Sequence, residues 1–407
     1  MPGPRLQRRL GLADAVVVGL GAMIGAGIFA VLAPAAAAAG SGLLLALAVA
    51  AVVAYCNAMS SAWLAARYPQ SGGTYVYGRK RLGDFWGYLA GWGFVVGKTA
   101  SCAAMALTVG TYAWPEHARL VAVATVVALT AVNYTGVEKS ALLSRIIVAL
   151  VLTVLAGVVV AVAVSGRADL AQVGIGDSLG GILQAAGLLF FAFAGYARIA
   201  TLGEEVRRPA RTIPRAIPVA LGIALLVYAA VAVAALAVLG SDGLAAATAP
   251  LADAVAAAGA PALQPVVRVG AVVAALGSLL ALILGVSRTT FAMARDRHLP
   301  HALSAVHPRF KVPHRAELTV GAVVAVIAAT ADLRGAIGFS SFAVLAYYAI
   351  ANASAWTLGR RAVPAVGLFG CAVLAFSLPA SSVLAGIVVL ALGAGAYAAR
   401  RTRRSKA

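Results

Sequence analysis

Hydrophobic and polar positions alternate along this chain in whole segments, not residue by residue. Windows of about twenty apolar residues, the length of a helix that crosses hydrocarbon, recur about twelve times. They lie near 13–35, 41–66, 84–112, 118–135, 142–165, 180–202, 214–240, 264–292, 317–333, 336–358, 363–380 and 382–399. Short polar loops separate them, and no long polar stretch interrupts the series. Only a helix or a closed barrel satisfies its backbone inside lipid, so the pattern predicts an all-α polytopic membrane protein with twelve transmembrane helices. The third and eighth windows are the longest and are expected to tilt.

Composition agrees. The chain is 62% hydrophobic and 11% charged, where a soluble globular protein carries ~25% charged residues. The net charge of +19 does not mark a nucleic-acid partner, because the basic residues are spread over short loops. They fall mostly on one side: Arg5, Arg8 and Arg9, then Arg79 to Arg81, Arg207 to Arg215, Arg295 to Arg315, and the RRTRRSK tail. The other side holds only Arg119, Arg167, Arg268 and Arg334. Positive charge marks the cytoplasmic side, so both termini are expected there, in the cytoplasmic membrane. The Pro-Gly-Pro-Arg start has no short cleavable signal. Cys56, Cys102 and Cys371 lie within apolar windows at no metal-ligand spacing and read as small core residues.

The first window contains GAMIGAGIF, Gly21 to Phe29. Each glycine inside a helix costs about 1 kcal/mol relative to alanine. A break here gives two half-helices. The second, from Gly25 to Ile28, offers free N–H groups and a positive dipole end to an anion. The first, ending near Ala22 to Ile24, offers free carbonyls to an ammonium group or cation. Close packing of a glycine face on a neighbour is the alternative. The sixth window supplies a second interruption, where Phe190, Phe191 and Phe193 run into Ala194-Gly195. Paired interruptions at corresponding places in two halves point to a transporter's binding site.

Lys98 lies near the middle of the third window, roughly fifteen residues from either end, too deep to snorkel to the surface. Its neighbours Gly97, Thr99, Ser101 and Ala103 are small. It is the candidate for coupling or substrate contact, with a structural lysine bonded to broken-helix carbonyls as the alternative. Arg198 is expected to pair with Glu204 or Glu205. In the loop that follows, Pro209 is expected to end one helix and Pro214 to open the next. Ser278 could face the carbonyl of Ala22 and form a sodium site, or bond its own helix. The aromatic stretch Tyr68 to Trp92 suits an interfacial hairpin. His298, His301, His307 and His314 lack an acidic or cysteine partner at ligand spacing and read as a solvated loop, with no metal. No acidic residue stands at mid-membrane depth. No ATP-binding or hydrolytic constellation appears, so neither an enzyme nor a cofactor is expected.

Five stretches together resemble the amino acid–polyamine–organocation superfamily of secondary transporters. They are GAMIGAGIF at Gly21, PQSGGTYVYGRKRLG at Pro69, GVEKSA at Gly136, FAFAGYARIATLGEEVRRPARTIPRAI at Phe191 and SRTTFAMARDRHLP at Ser287. The resemblance implies a 5+5 inverted repeat, residues 13–165 mirrored by 180–358, with two peripheral helices at 363–399, an N-terminus of residues 1–12 and a basic tail at 400–407. It further implies that the backbone of Gly25, Ala26 and Gly27 binds a substrate carboxylate. The carbonyls of Ala22, Ile24, Phe190 and Ala194, beside Gly195, would take the amino group, and Phe191 stands where relatives have an aromatic gate.

The chain departs from the family pattern at three places. The interior of the fifth window, Ile146 to Ser165, has no lysine where some proton-coupled relatives carry one. Ala197 stands where some exchangers have an acid, and Lys98 where several cationic amino acid transporters have one. The last departure disfavours cationic substrates. The expected function is transport of amino acids or related amines by alternating access, coupled to protons or to a counter-substrate. A non-transporting sensor and a sodium symporter are the alternatives.

Overall fold

A computed structural model describes residues 10–68, 72–136, 141–176, 178–200 and 206–405. Among these residues the chain is helical and has no strand; a lone bridge joins Leu10 to Val206. The first window divides into α1 (Leu12–Met23) and α2 (Ala26–Ala39). A short turn leads to α3 (Leu43–Arg67), the interfacial α4 (Thr74–Arg81), α5 (Asp84–Ala113), α6 (Ala118–Tyr134) and α7 (Ala141–Val164). The sixth window becomes α8 (Leu179–Phe193), a tight turn at Ala194–Tyr196 and α9 (Ala197–Ala200). Then follow α10 (Pro209–Ala246), α11 (Pro250–Ala257), α12 (Gln264–Arg295), α13 (His314–Thr330), α14 (Leu333–Trp356), α15 (Ala362–Ser377) and α16 (Ala380–Ser405).

Nine stretches among the described residues are long and apolar enough to cross a membrane, with α1 and α15 as shorter apolar helices. This is a multi-pass membrane protein. Its interior is built on small residues: Ala15, Ala26, Ala46, Ala50, Ala104, Ala216 and Ala271 are all fully buried. Without water to drive helices together, close backbone approach is what holds such a bundle. The axis of the packing is α5, which lies against both α12 and α14, while α2 lies against α8 and α3 against α8 and α10. α16 stays largely exposed along its length.

Several expectations change. Pro209, not Pro214, opens α10; it sits at the first helical position, where a missing N–H costs nothing, and Pro214 and Pro218 ride inside the helix. Gly240, with φ 67°, breaks α10, so the longest uninterrupted helix is α12 at 32 residues. The hairpin aromatics are not all interfacial. Tyr75, Tyr77 and Tyr88 are buried, whereas Trp86 is exposed. The histidine loop is only partly solvated. His298 packs edge-on against Tyr75 and Tyr88, and His307 lies between Tyr134, Phe310 and His314. Glu204 and Glu205, the expected partners of Arg198, lie outside the described residues.

Candidate substrate site

Helix α1 stops because Ile24 and Gly25 leave helical geometry, at φ −82°, ψ 50° and φ −105°, ψ −136°. The last turn closes with the Ile24 N–H bonded to the Leu20 carbonyl at 2.6 Å. Helix α2 restarts at Ala26 with no side-chain cap on its first N–H groups. Those groups are buried, since Ala26, Gly27, Ile28 and Phe29 are all enclosed. A buried, uncapped helix start is a set of donors awaiting an acceptor.

Glycine serves here for close approach, not for a special backbone angle. A Cβ on Gly25 would land on Ser278 Oγ of α12, and one on Gly27 would come within 2.8 Å of Ala192 Cα in α8. The second break mirrors this. A Cβ on Gly195 would collide with the Ala22 carbonyl and reach within 2.7 Å of the Met23 nitrogen. The two interruptions therefore meet face to face. The sequence-derived residues Ala22, Ile24, Gly25, Ala26, Gly27, Ala194 and Gly195 come together in one place.

A residue not singled out in the sequence ties the halves together. Tyr228 of α10 is buried, and its hydroxyl lies 2.6 Å from the Met23 carbonyl and 3.1 Å from the Ala192 carbonyl. One proton is thus shared between the ends of α1 and α8. Its only sequence signal is a phenol inside the apolar run of α10. The rest of the wall is apolar. Ala26 packs with Val109 of α5 and Ala275 of α12, and the Tyr112 hydroxyl donates to the Phe29 carbonyl at 3.2 Å. Phe190 packs edge-on against Tyr348 of α14, and Phe191 is enclosed. The Phe190 carbonyl already accepts the Ala194 N–H, which leaves it one free lone pair for a ligand. Polar backbone in a largely apolar wall suits a small zwitterion, whose two charges the two helix ends complement.

Ser278 and Ala22 are placed against different neighbours, Gly25 and Gly195 respectively. The Ser278 hydroxyl is buried and has no hydrogen-bond partner among the described residues. Lys98 is buried and forms no hydrogen bond or ion pair among the described residues; its nearest titratable neighbour is the Cys102 thiol one turn on. Flanking it, Gly97 lies against Ser340, Ala343 and Val344 of α14, and Ser101 Oγ is 2.6 Å from Ser340 Oγ. Val109, the α5 residue beside Ala26, is eleven residues further along, about 16 Å of helix at ~1.5 Å per residue. Lys98 is accordingly well separated along α5 from the start of α2.

A further polar cluster lies at the end of the bundle where α4, α5, α12 and α16 meet. The Tyr75 hydroxyl donates to Asp296 at 2.6 Å, and Arg79 bridges Asp296 at 2.8 Å and Asp84 at 3.1 Å. Burial, and then the neighbouring Asp296 carboxylate, push the Tyr75 hydroxyl's pKa up, so it remains a donor. Arg79, Asp84 and Asp296 border a cavity of about 580 Å³ that also receives Arg297, Arg400 and Tyr397.

Broken central helices with facing, uncapped ends inside a multi-pass bundle define a membrane transporter. More specifically, the chain matches the amino acid permease family over residues 10–401 and belongs to that family, within the amino acid–polyamine–organocation superfamily. It is 74% identical to an uncharacterized transporter of Mycobacterium tuberculosis, over 98% of this chain and 93% of the relative. It is 26% identical to the branched-chain amino acid permease BcaP of Bacillus subtilis, over 95% of this chain and 86% of that one. It is also 26% identical to the serine/threonine exchanger SteT of the same organism, over 88% and 84%.

Proposed function

We propose that this permease is a secondary transporter for neutral amino acids, working by alternating access in the cytoplasmic membrane with both termini cytoplasmic. The observation that carries the reading is the pair of facing breaks, with the uncapped N–H groups of Gly25 to Gly27 opposite the carbonyl ends of α1 and α8. The carboxylate lies at the start of α2, and the amino group near the carbonyls of Ala22, Ile24, Phe190 and Ala194. The apolar contacts around Ala26 and Phe190 favour a neutral side chain.

The packing also supports a twelve-span, five-plus-five inverted repeat with residues 13–165 and 180–358 as its halves. Matching α1/α2 with α8/α9, α3 with α10, α5 with α12, α6 with α13 and α7 with α14 gives a self-consistent set of neighbours. Counterparts pack on one another: α2 on α8, α3 on α10, α5 on α12 and α6 on α13. Other contacts occur in mirrored pairs. α3 on α8 is matched by α10 on α2, α5 on α14 by α12 on α7, and α5 on α6 by α12 on α13. Two half-bundles related in this way can rock about a fixed midplane site. α15 and α16 stand outside the scheme.

Coupling is to protons or to a counter-substrate, with Lys98 as the candidate group. The unpartnered Ser278 hydroxyl against Gly25 supports the second reading, a sodium ion beside the first break. Uptake by reconstituted vesicles, screened across all amino acids, tests the function: neutral amino acids should accumulate, and no uptake or thermal shift with any of them would rule it out. Lys98→Ala should flatten the pH profile of uptake; an unchanged profile removes Lys98 from coupling.

A further inference from the structure

The sequence places no acid at mid-membrane depth, yet one carboxylate is completely enclosed. Glu317, in the first turn of α13, has no exposed surface, and neither of its oxygens has a hydrogen-bond partner among the described residues. Two contacts fix its place on the seam between α13 and α6. Thr130 of α6 packs on the bare Gly321, one turn beyond Glu317, and the Tyr134 ring lies 6.3 Å from the His314 ring, three residues before it. The same seam holds further unpartnered polar atoms: Thr130 Oγ1 and His314 Nδ1 are both buried and unbonded.

The charged and titratable groups around Glu317 do not neutralise it. From α12 the field of Arg288 reaches it, but Arg288 is exposed and makes no ion pair with it. The described ion pairs join Arg79 to Asp84 and Asp296, and Arg145 to Asp14. From α6 comes Tyr134, from the preceding loop His307 stacked on His314, and from α5 Cys102 in the apolar cluster shared with Val320. On its own helix are His314 and the exposed Arg315. An ionised carboxylate in such a setting is untenable alone. Something positive must accompany it.

We propose that Glu317 is the seat of a monovalent cation, a proton or an alkali ion, held between α6, α12 and α13 and carried through the transport cycle. α6 and α13 are counterparts in the two halves proposed above, so the site lies where the two halves pack together. The inference rests on the transporter reading and names an ion site separate from Lys98 and Ser278.

The test uses Glu317→Gln, which keeps the shape and removes the charge. In vesicles, the wild type should accumulate substrate under a pH or a sodium gradient. The variant should lose gradient-driven accumulation while keeping exchange against preloaded substrate. Accumulation by the variant at the wild-type level overturns the proposal. A second measurement needs no transport. Melting of the purified wild type should depend on pH in choline buffer if the ion is a proton, or on added sodium if it is an alkali ion, and Glu317→Gln should abolish that dependence. Thr130→Val separates the two sources, weakening an alkali ion's effect but not a proton's. If the wild type and Glu317→Gln melt alike across pH and sodium, no ion resides there. Vesicles with no uptake in any arm, but with this melting difference intact, would count against the transporter reading alone.

Discussion

At the first break, α1 ends at Met23 and α2 restarts at Ala26, and the gap is packed by a side chain, Ser278 Oγ against Gly25. At the second, α8 passes through Ala194–Tyr196 into α9, and the gap is packed by backbone, the Ala22 carbonyl against Gly195. After the first break α2 runs for 14 residues and presents the positive end of a helix, whereas the second break is entered by the carbonyl end of α8, 15 residues long. The first break is thus built to supply donors and has a neighbour that can yield. The second supplies acceptors and has a neighbour that cannot. An amino acid bound as proposed would need both ends, and neither break would suffice alone.

The largest effect should come from Gly195→Ala. The added Cβ meets main chain, which cannot rotate away, and overpacking of this kind costs ~1–3 kcal/mol or more. Folded protein recovered on size exclusion and uptake should both fall steeply, and Ser278→Gly should not restore them. Near-normal recovery would mean that the two breaks do not touch. Gly25→Ala should come next, abolishing uptake with a milder loss of melting temperature. Here Ser278→Gly in the same chain should recover part of the uptake, because the obstacle is a side chain; failure of that rescue would erase the distinction between the breaks. The smallest effect belongs to Tyr228→Phe. It removes the hydroxyl shared by Met23 and Ala192, at about 1 kcal/mol. The expected result is a slightly lower melting temperature and a raised KM, read from uptake at graded substrate concentrations. An unchanged KM would make Tyr228 a packing residue only.

Much of this was legible in the residues. Glycine spacing at Gly21, Gly25 and Gly27 located the first interruption, and Ala194-Gly195 the second, because glycine inside an apolar run has a helical cost that needs a reason. Hydropathy located the windows. Other features were illegible for definite physical causes. Pro209 could end a helix or begin one, and only the chain direction after it decides. Tyr228 and Glu317 gain their meaning from partners far away in sequence, or from having none. A glutamate at the head of an apolar run looks like a normal helix start until α6 and α12 close over it. The histidines looked solvated because ring packing with Tyr75, Tyr88 and Tyr134 joins segments that are distant along the chain.

What the sequence determined by itself is the set of elements and the places where they fail. Apolar length specifies helices in lipid, and glycine specifies where a helix can open, since both are local costs summed over neighbouring residues. What only the tertiary structure decided is which broken ends face each other, that Ser278 fills one gap and the Ala22 carbonyl the other, and that Glu317 is enclosed without a partner. Those outcomes depend on the burial and close approach of atoms contributed by separate helices, a property of the packed bundle that no single stretch of chain contains.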